Sequence, residues 1–348
     1  MAWNINELKL KIEFLESQIQ TISDPTILMG LEIDLRNLKE MVNYKSGKKI
    51  YDIKALRSYA ILDKQHLEEM VESLKKNSSS LARELYSASY FHHVGSRGSA
   101  FKSISDQENH NLLYEFLEYF DENLLRLYLE YQKEERIELN TNLHDSATCR
   151  GRCYPLVSEG NTYISSRFNN RFNSISILPH ELAHAAQLIG KTSVEEMQKC
   201  LYSLFGEAYP IFVEYVFWDY LKNTKYRKQA FAQEANKING FLCNLDYNAT
   251  LYQAVQDIIY TPNGGISSLG YGKNLSSDTL LLSGILGMYW FFLYKQDPNA
   301  IKLEIEKFNQ GFGTRYEGEI FDQQTTSELT SGVYWTIKDY LQNYRRIR

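Results

Sequence analysis

His180, Glu181 and His184 stand in the pattern HELAH. On an α-helix, residues four apart lie one turn above each other on the same face. Two imidazoles at that spacing can share one tetrahedral metal ion. Glu181 sits about 100° around the helix from His180, so its carboxylate can reach a water on the metal without being a ligand itself. Zinc lowers the pKa of such a water toward neutrality, and a neighbouring carboxylate takes its proton as it attacks a carbonyl. The pattern therefore points to metal-assisted hydrolysis. Ile177, Leu178, Leu182, Ala183 and Ala186 make the segment apolar around the histidines, and buried imidazoles need polar partners.

The spacing predicts a helix over 177–189 to carry this pattern. Ser176 serves as N-cap and places Pro179 at the third helical position, where a missing N–H has no partner to lose. Gly190 ends the helix. A zinc site of this kind needs a third protein ligand. Gln187 and Gly190 stand where a metzincin would have Gly and His, which excludes that arrangement. A glutamate on a following helix is the other common solution. Glu207 opens the helical segment GEAYPIFVEYVFWDYL, and Glu214 follows seven residues later on the same face. Glu207 could bind the metal while Glu214 orients a histidine ligand. Glu195 and Glu196 are the competitors, closer in sequence but set in a polar stretch, TSVEEMQK, that reads as a solvated face.

The elements around this site read as mainly helical. Leu8, Ile12, Leu15, Ile19 and Ile22 keep helical spacing, Asp24-Pro25 marks a stop and restart, and Leu28, Leu31, Leu35 and Leu38 resume the period. These form a helical hairpin with coiled-coil-like seams that packs on the rest of the chain. YKSGKK at 44–49 and HHVGSRGS at 92–99 read as loops, with helical pattern near 66–74. Residues 111–138 read as strongly helical, with a broad apolar face. Residues 149–168 carry Gly151, Pro155 and Gly160 and then the β-favouring TYISS, the one convincing strand region. From Ser176 the pattern is helical nearly to the end, with a Gly-rich break at 262–272. The expected division is an N-terminal helical part over 1–90 and a catalytic helical domain over 91–348, with the β element near 150–168.

Composition bounds the function. The 348 residues carry 43% hydrophobic and 23% charged side chains with net charge −5, so no basic field draws nucleic acid or an anionic membrane. The 26 Tyr and 17 Phe fill helical cores by default. The apolar run 279–294 is shorter than the roughly 20 residues of a membrane span and contains Ser283, Gly284 and Gly287, so it reads as a buried core helix. The start MAWNINELKLK has no apolar stretch of signal-peptide type. Cys149, Cys153, Cys200 and Cys243 fit a reducing cytoplasm better than a disulfide framework. His92-His93 and His144-Asp145 read as surface polar pairs. There is no GxGxxG, P-loop or GxSxG pattern.

GRCYPLVSEGNTYISSRFNNRFNSISILPHELAHAAQ resembles the strand and metal-binding helix of the thimet oligopeptidase and oligopeptidase F family of zinc metallopeptidases. GEAYPIFVEYVFWDYL resembles that family's second metal helix, with two glutamates seven apart and a trailing Asp219-Tyr220-Leu221. The match covers roughly residues 150–295. The resemblance implies a mainly α, zincin-like helical bowl with a small β-sheet beside the active-site helix. It implies Zn2+ held by His180, His184 and Glu207, with Glu181 as general base. It also implies short peptide substrates, with an extended peptide pairing along an edge strand near 163–166. Three departures stand out. Ala183 replaces a glycine of the family, and Pro210 falls near the place of a small hydroxyl residue. NLSSDTLLLSGILG lacks the tyrosines that in the family stabilise the oxyanion. Tyr271 is the nearest substitute, with Tyr260 and Tyr289 as further candidates. The chain is also shorter than typical members.

Zinc-dependent endo-oligopeptidase activity in the cytoplasm is therefore the expected function. The alternative is a helical metal protein that captures peptides without cutting them. Exopeptidase action would need a cation gripping a substrate terminus, for which Arg97, Arg150, Arg152 and Arg167 are available.

Overall fold

Asn4 and Glu7 begin the first helix with a reciprocal cap. Asn4 Oδ1 accepts from the Glu7 N–H at 3.0 Å, and Glu7 Oε2 accepts from the Asn4 N–H at 2.6 Å. The computed structural model describes residues 3–46, 73, 103–139, 151–166, 168, 171–191, 205–247, 274–311 and 326–345. Packing divides the chain into two units, Met1–Ile53 with Ser103–Cys200, and Lys54–Lys102 with Leu201–Arg348. The boundary expected near residue 90 lies outside the described residues.

In the first unit, α1 (Ile5–Ile19) and α2 (Pro25–Lys45) form the expected hairpin. Asp24 Oδ1 accepts from the Ile27 N–H at 3.1 Å, so Asp24 caps α2 with Pro25 at its first position. Leu8 and Leu15 of α1 meet Leu31, Leu38 and Met41 of α2. The same apolar cluster takes in Tyr154, Leu156 and Tyr163. The hairpin thus covers one face of a sheet.

Residues 111–138 are not one helix. α3 (Asp106–Phe120) ends at Asp121, whose extended backbone (φ −156°, ψ 112°) breaks the ladder. The Asp121 side chain then caps α4 (Glu122–Lys133) by accepting from the Asn123 and Leu124 N–H groups at 2.8 and 3.1 Å. Short polar side chains compete with the helical ladder in this way. Here the unbroken apolar face on either side hides the break. Glu135, with φ 58°, then turns the chain into β1 (Ile137–Leu139).

β2 (Gly151–Leu156) and β3 (Asn161–Ser166) pair antiparallel with Tyr154 opposite Tyr163, and β1 runs parallel to β3 with Ile137 opposite Ile164. The order is β1-β3-β2. β3 is therefore the central strand. The expectation that residues 163–166 receive an extended peptide at a sheet edge is incorrect, because β1 and β2 already flank them. A three-residue strand paired in parallel with a distant segment leaves no local periodicity to read. Between β2 and β3 the turn is held from α2. Asp34 accepts from the Val157 N–H at 2.6 Å, the Ser158 N–H at 2.9 Å and the Ser158 hydroxyl. Asn37 Nδ2 donates to the Pro155 carbonyl at 2.6 Å. α5 (Ile177–Leu188) packs against β2 and β3.

The second unit is helical: α6 (Ala208–Leu221), α7 (Arg227–Tyr247), α8 (Asn274–Gln296), α9 (Pro298–Gly311) and α10 (Thr326–Arg345). Its centre is α8, buried at Leu282, Ile285, Leu286, Trp290 and Phe291. The apolar run 279–294 is thus core, and no described helix is long and apolar enough to cross a membrane. Aromatic rings fill the contacts. Trp290 meets Phe212 of α6 and Phe308 of α9 edge-on at 6.3 and 4.9 Å, and Phe291 stacks on Tyr215 at 5.5 Å. Lys222, just past α6, pairs with the fully buried Glu234 of α7 at 2.7 Å.

Asp34→Ala removes the acceptor that serves two backbone N–H groups at the β2–β3 turn. Stability should fall by about 2–4 kcal/mol. A lower urea midpoint, with native helical circular dichroism unchanged, is the expected result.

Candidate metal centre

α5 forms over the residues the spacing predicts, but its start differs in detail. Ser176 occupies the N-cap position with helical backbone, and its side chain makes no capping bond. Pro179 is at the third helical position. The first turn closes through the His180 N–H to the Ser176 carbonyl at 3.2 Å. At the other end Gly190 adopts φ 78°, the left-handed conformation that glycine adopts without strain. Its N–H donates to the Gly160 carbonyl at 3.0 Å, tying the end of the helix to the β2–β3 turn.

His180 and His184 are half-buried one turn apart, with ring centroids 4.9 Å apart and planes at 77°. A ring nitrogen of each lies within 4.8 Å of the other, and shared binding of one ion at about 2.1 Å from each would draw them to about 3.4 Å apart. Glu181, between them in sequence, is buried and turned toward β2. There the strand backbone comes very close. A methyl group added at Gly151 would sit 2.5 Å from Glu181 Oε1, 2.9 Å from Glu181 Cγ and 2.5 Å from Ile177 Cγ2. Cys153 follows on the same face of β2. Burial pushes its thiol up, a bond to Thr162 opposes this, and the charge of Glu181 adds to the rise. The Cys153 thiol is held protonated beside the carboxylate and is unsuited to being a nucleophile or ligand.

In the second unit, Glu207 stands at the N-cap position of α6 without capping it, and Pro210 falls at the third helical position, as Pro179 does in α5. The first turn of α6 is set by α8. A methyl group at Gly287 would meet Ile211 Cγ2 at 2.9 Å and the Ala208 carbonyl oxygen at 3.0 Å. Glu214 is buried, and its Oε1 accepts from Lys237 Nζ of α7 at 2.9 Å. The carboxylate read from sequence as an aid to a histidine is thus also half of an ion pair with α7.

The remaining sequence candidates divide in two. Tyr271, Tyr260, Glu195, Glu196, His92, His93, His144, Asp145, Arg97, Arg150 and Arg167 lie outside the described residues. Arg152 is described. It alternates with Gly151 and Cys153 along β2, and its guanidinium lies 5.6 Å from the Tyr154 ring, on the face that the hairpin covers. It therefore points away from Glu181 and does not serve as a grip on a substrate terminus there. Tyr289 is buried among helices of its unit. Burial, with Glu304 and Glu328 near, pushes its hydroxyl up to about 12. Such a hydroxyl is a weak donor to a developing oxyanion.

Sequence reasoning read Gly151 and Gly287 only as interruptions of a pattern. Neither has a side chain, and their importance lies in what one would strike. A glycine inside a strand marks close approach of another group, and that signal was present in GRCYPL.

No protein-family model matches the sequence, and no curated protein matches it. Solved structures do share the fold. A crystal structure provisionally described as a peptidase from Chlamydophila abortus superposes with a TM-score of 0.55 at 13% identity, over 97% of this chain and 63% of that one. One provisionally described as an oligoendopeptidase F from Bacillus anthracis str. Ames gives 0.55 at 12% identity, over 91% and 62%. A further X-ray structure of that provisional description gives 0.53 at 11% identity, over 90% and 64%. The chain spans less than two thirds of the length of each. The mainly helical fold with its small sheet is the fold of these neighbours.

Gly287→Ala should overpack the crossing of α6 and α8 and cost about 1–3 kcal/mol. The thermal midpoint is the measurement, with Gly332→Ala, which crowds Tyr289 on the other side of α8, as a second overpacking variant of similar size.

Proposed function

We propose that this chain is a zinc metallopeptidase that hydrolyses short peptides, with His180, His184 and Glu207 as metal ligands and Glu181 as general base. One observation carries the reading. Two histidines stand one turn apart on a helix, and the glutamate between them is buried against a strand rather than pointing to solvent. The fit to zinc is chemical. Two imidazoles and one carboxylate suit that ion, and His180, His184 and Glu207 supply those donor types. The descriptions of the structural neighbours support peptides as the substrate class.

A zinc ion bound there supplies Lewis acidity toward a peptide carbonyl and makes water more acidic. The chain's own residues do the rest. Both histidines come from one rigid helix that is fixed at its far end through Gly190. Glu181 takes the proton of the attacking water and passes it to the leaving amine, restoring its own carboxylate. Its burial keeps competing water away from that transfer. Tyr271 is the proposed oxyanion donor, since Tyr289 sits among acidic groups. The cysteine content fits a cytoplasmic enzyme, where thiols such as Cys153 stay reduced.

Tyr289 also favours a second reading, capture of peptides without turnover, because a lost oxyanion donor costs about 10²–10³ in rate. A peptide library incubated with the zinc-loaded protein separates the two, and robust turnover eliminates capture alone.

Glu181→Gln should retain zinc and lose peptide cleavage by at least about 10³-fold; unchanged hydrolysis would sink the mechanism. Glu207→Ala should lower zinc content on elemental analysis, whereas full retention would place the third ligand elsewhere.

A further inference from the structure

At Gly151 the missing side chain would be met by a chemically active group. A methyl group there would approach Glu181 Oε1 to 2.5 Å and Glu181 Cγ to 2.9 Å. Real Cβ atoms do not come that near a neighbour, so one partner has to move. On the helix side the methyl group would also meet Ile177 Cγ2 at 2.5 Å. Ile177 is β-branched and lies in the first turn of α5, so its χ1 is stiff. The strand side is fixed too, because Gly151 and Arg152 lie in register with Ser166 and Ser165 of β3. Of the groups in contact, the Glu181 carboxylate is the one on freely rotating bonds.

We infer that Gly151 is a positioning residue for Glu181: the bare backbone of β2 forms one wall of the carboxylate's seat, and any side chain at 151 displaces the general base while leaving the metal-binding histidines in place. The inference rests on Glu181 acting as the proposed base. The three atoms nearest to a methyl group at Gly151 belong to Glu181 and Ile177, and none to His180 or His184. Cys153, two residues on, lies on the same face of the strand as Gly151.

The consequence is a separation of effects. A displaced general base lowers kcat, since misplacement by about 1 Å can cost 10²-fold. Metal affinity and KM should change little, while the contact with Ile177 lowers the unfolding midpoint as other overpacking does.

The experiment compares wild type, Gly151→Ala, Glu181→Asp and the double variant. Zinc affinity is measured by competition with a chromophoric chelator, kcat and KM on a fluorogenic peptide, and the crystal structure of Gly151→Ala is determined. Gly151→Ala should lose about 10²-fold in kcat with zinc affinity within threefold of wild type. Its Glu181 side chain should occupy a different rotamer. The double variant should be no worse than Glu181→Asp alone, because the carboxylate is already out of place there, and residues acting through one another are not additive. Losses that multiply in the double variant overturn the inference, as does a Gly151→Ala structure in which Glu181 keeps its place and β2 moves instead. If wild-type hydrolysis is absent or indifferent to Glu181→Gln, it is the functional reading that fails, and the Glu181 rotamer in the Gly151→Ala structure still decides the positioning claim.

Discussion

The close approach of β2 to α5 is the constraint on which the first unit depends. A helix and a strand can come near enough for Glu181 to touch the strand backbone only if the strand carries no side chain at that point, and Gly151 meets that requirement. The sheet then has to be held in place against the helix. β3 is flanked on both sides, the hairpin covers the face bearing Tyr154 and Tyr163, and Gly160 receives the N–H of Gly190 at the end of α5. Each contact removes a way for strand and helix to drift apart, which holds the wall of the Glu181 carboxylate's seat in place.

The second unit solves a similar problem with different material. α6 carries two acidic residues in an otherwise almost wholly apolar helix, buried from Ala208 to Trp218. A helix apolar all round has no preferred face, so its rotation is set by packing rather than by amphipathicity. Trp290, Phe291 and Gly287 of α8 supply that packing, and the Lys237 ion pair fixes Glu214 against α7. Ring contacts with defined geometry orient a helix more firmly than interchangeable aliphatic ones.

Much of this was legible because it is local. The four-residue spacing of His180 and His184, the Asp24-Pro25 restart and the β-favouring run at 162–166 each announce a structure through neighbouring residues alone. What stayed hidden depends on distant partners. β1 is three residues long and exists because it pairs with β3. That pairing turns β3 from an edge into a centre. The break at Asp121 was masked because apolar residues continue in helical register on both sides of it. Ser176 fits the composition of a cap and does not act as one, since its backbone is already helical. Gly151 and Gly287 were silent because sequence patterns reveal side chains that are present more readily than those whose absence matters.

Asp34 carries a consequence for how the chain is made. Its hydrogen bonds to Val157 and Ser158 join residues 123 and 124 positions apart. At a synthesis rate of about 5–20 residues per second, the hairpin emerges roughly 6–25 s before the turn it holds. During that interval the apolar seam of α1 and α2 has no sheet to cover and Asp34 has no donors. The nascent chain must carry an unfinished interface through most of the synthesis of its first unit.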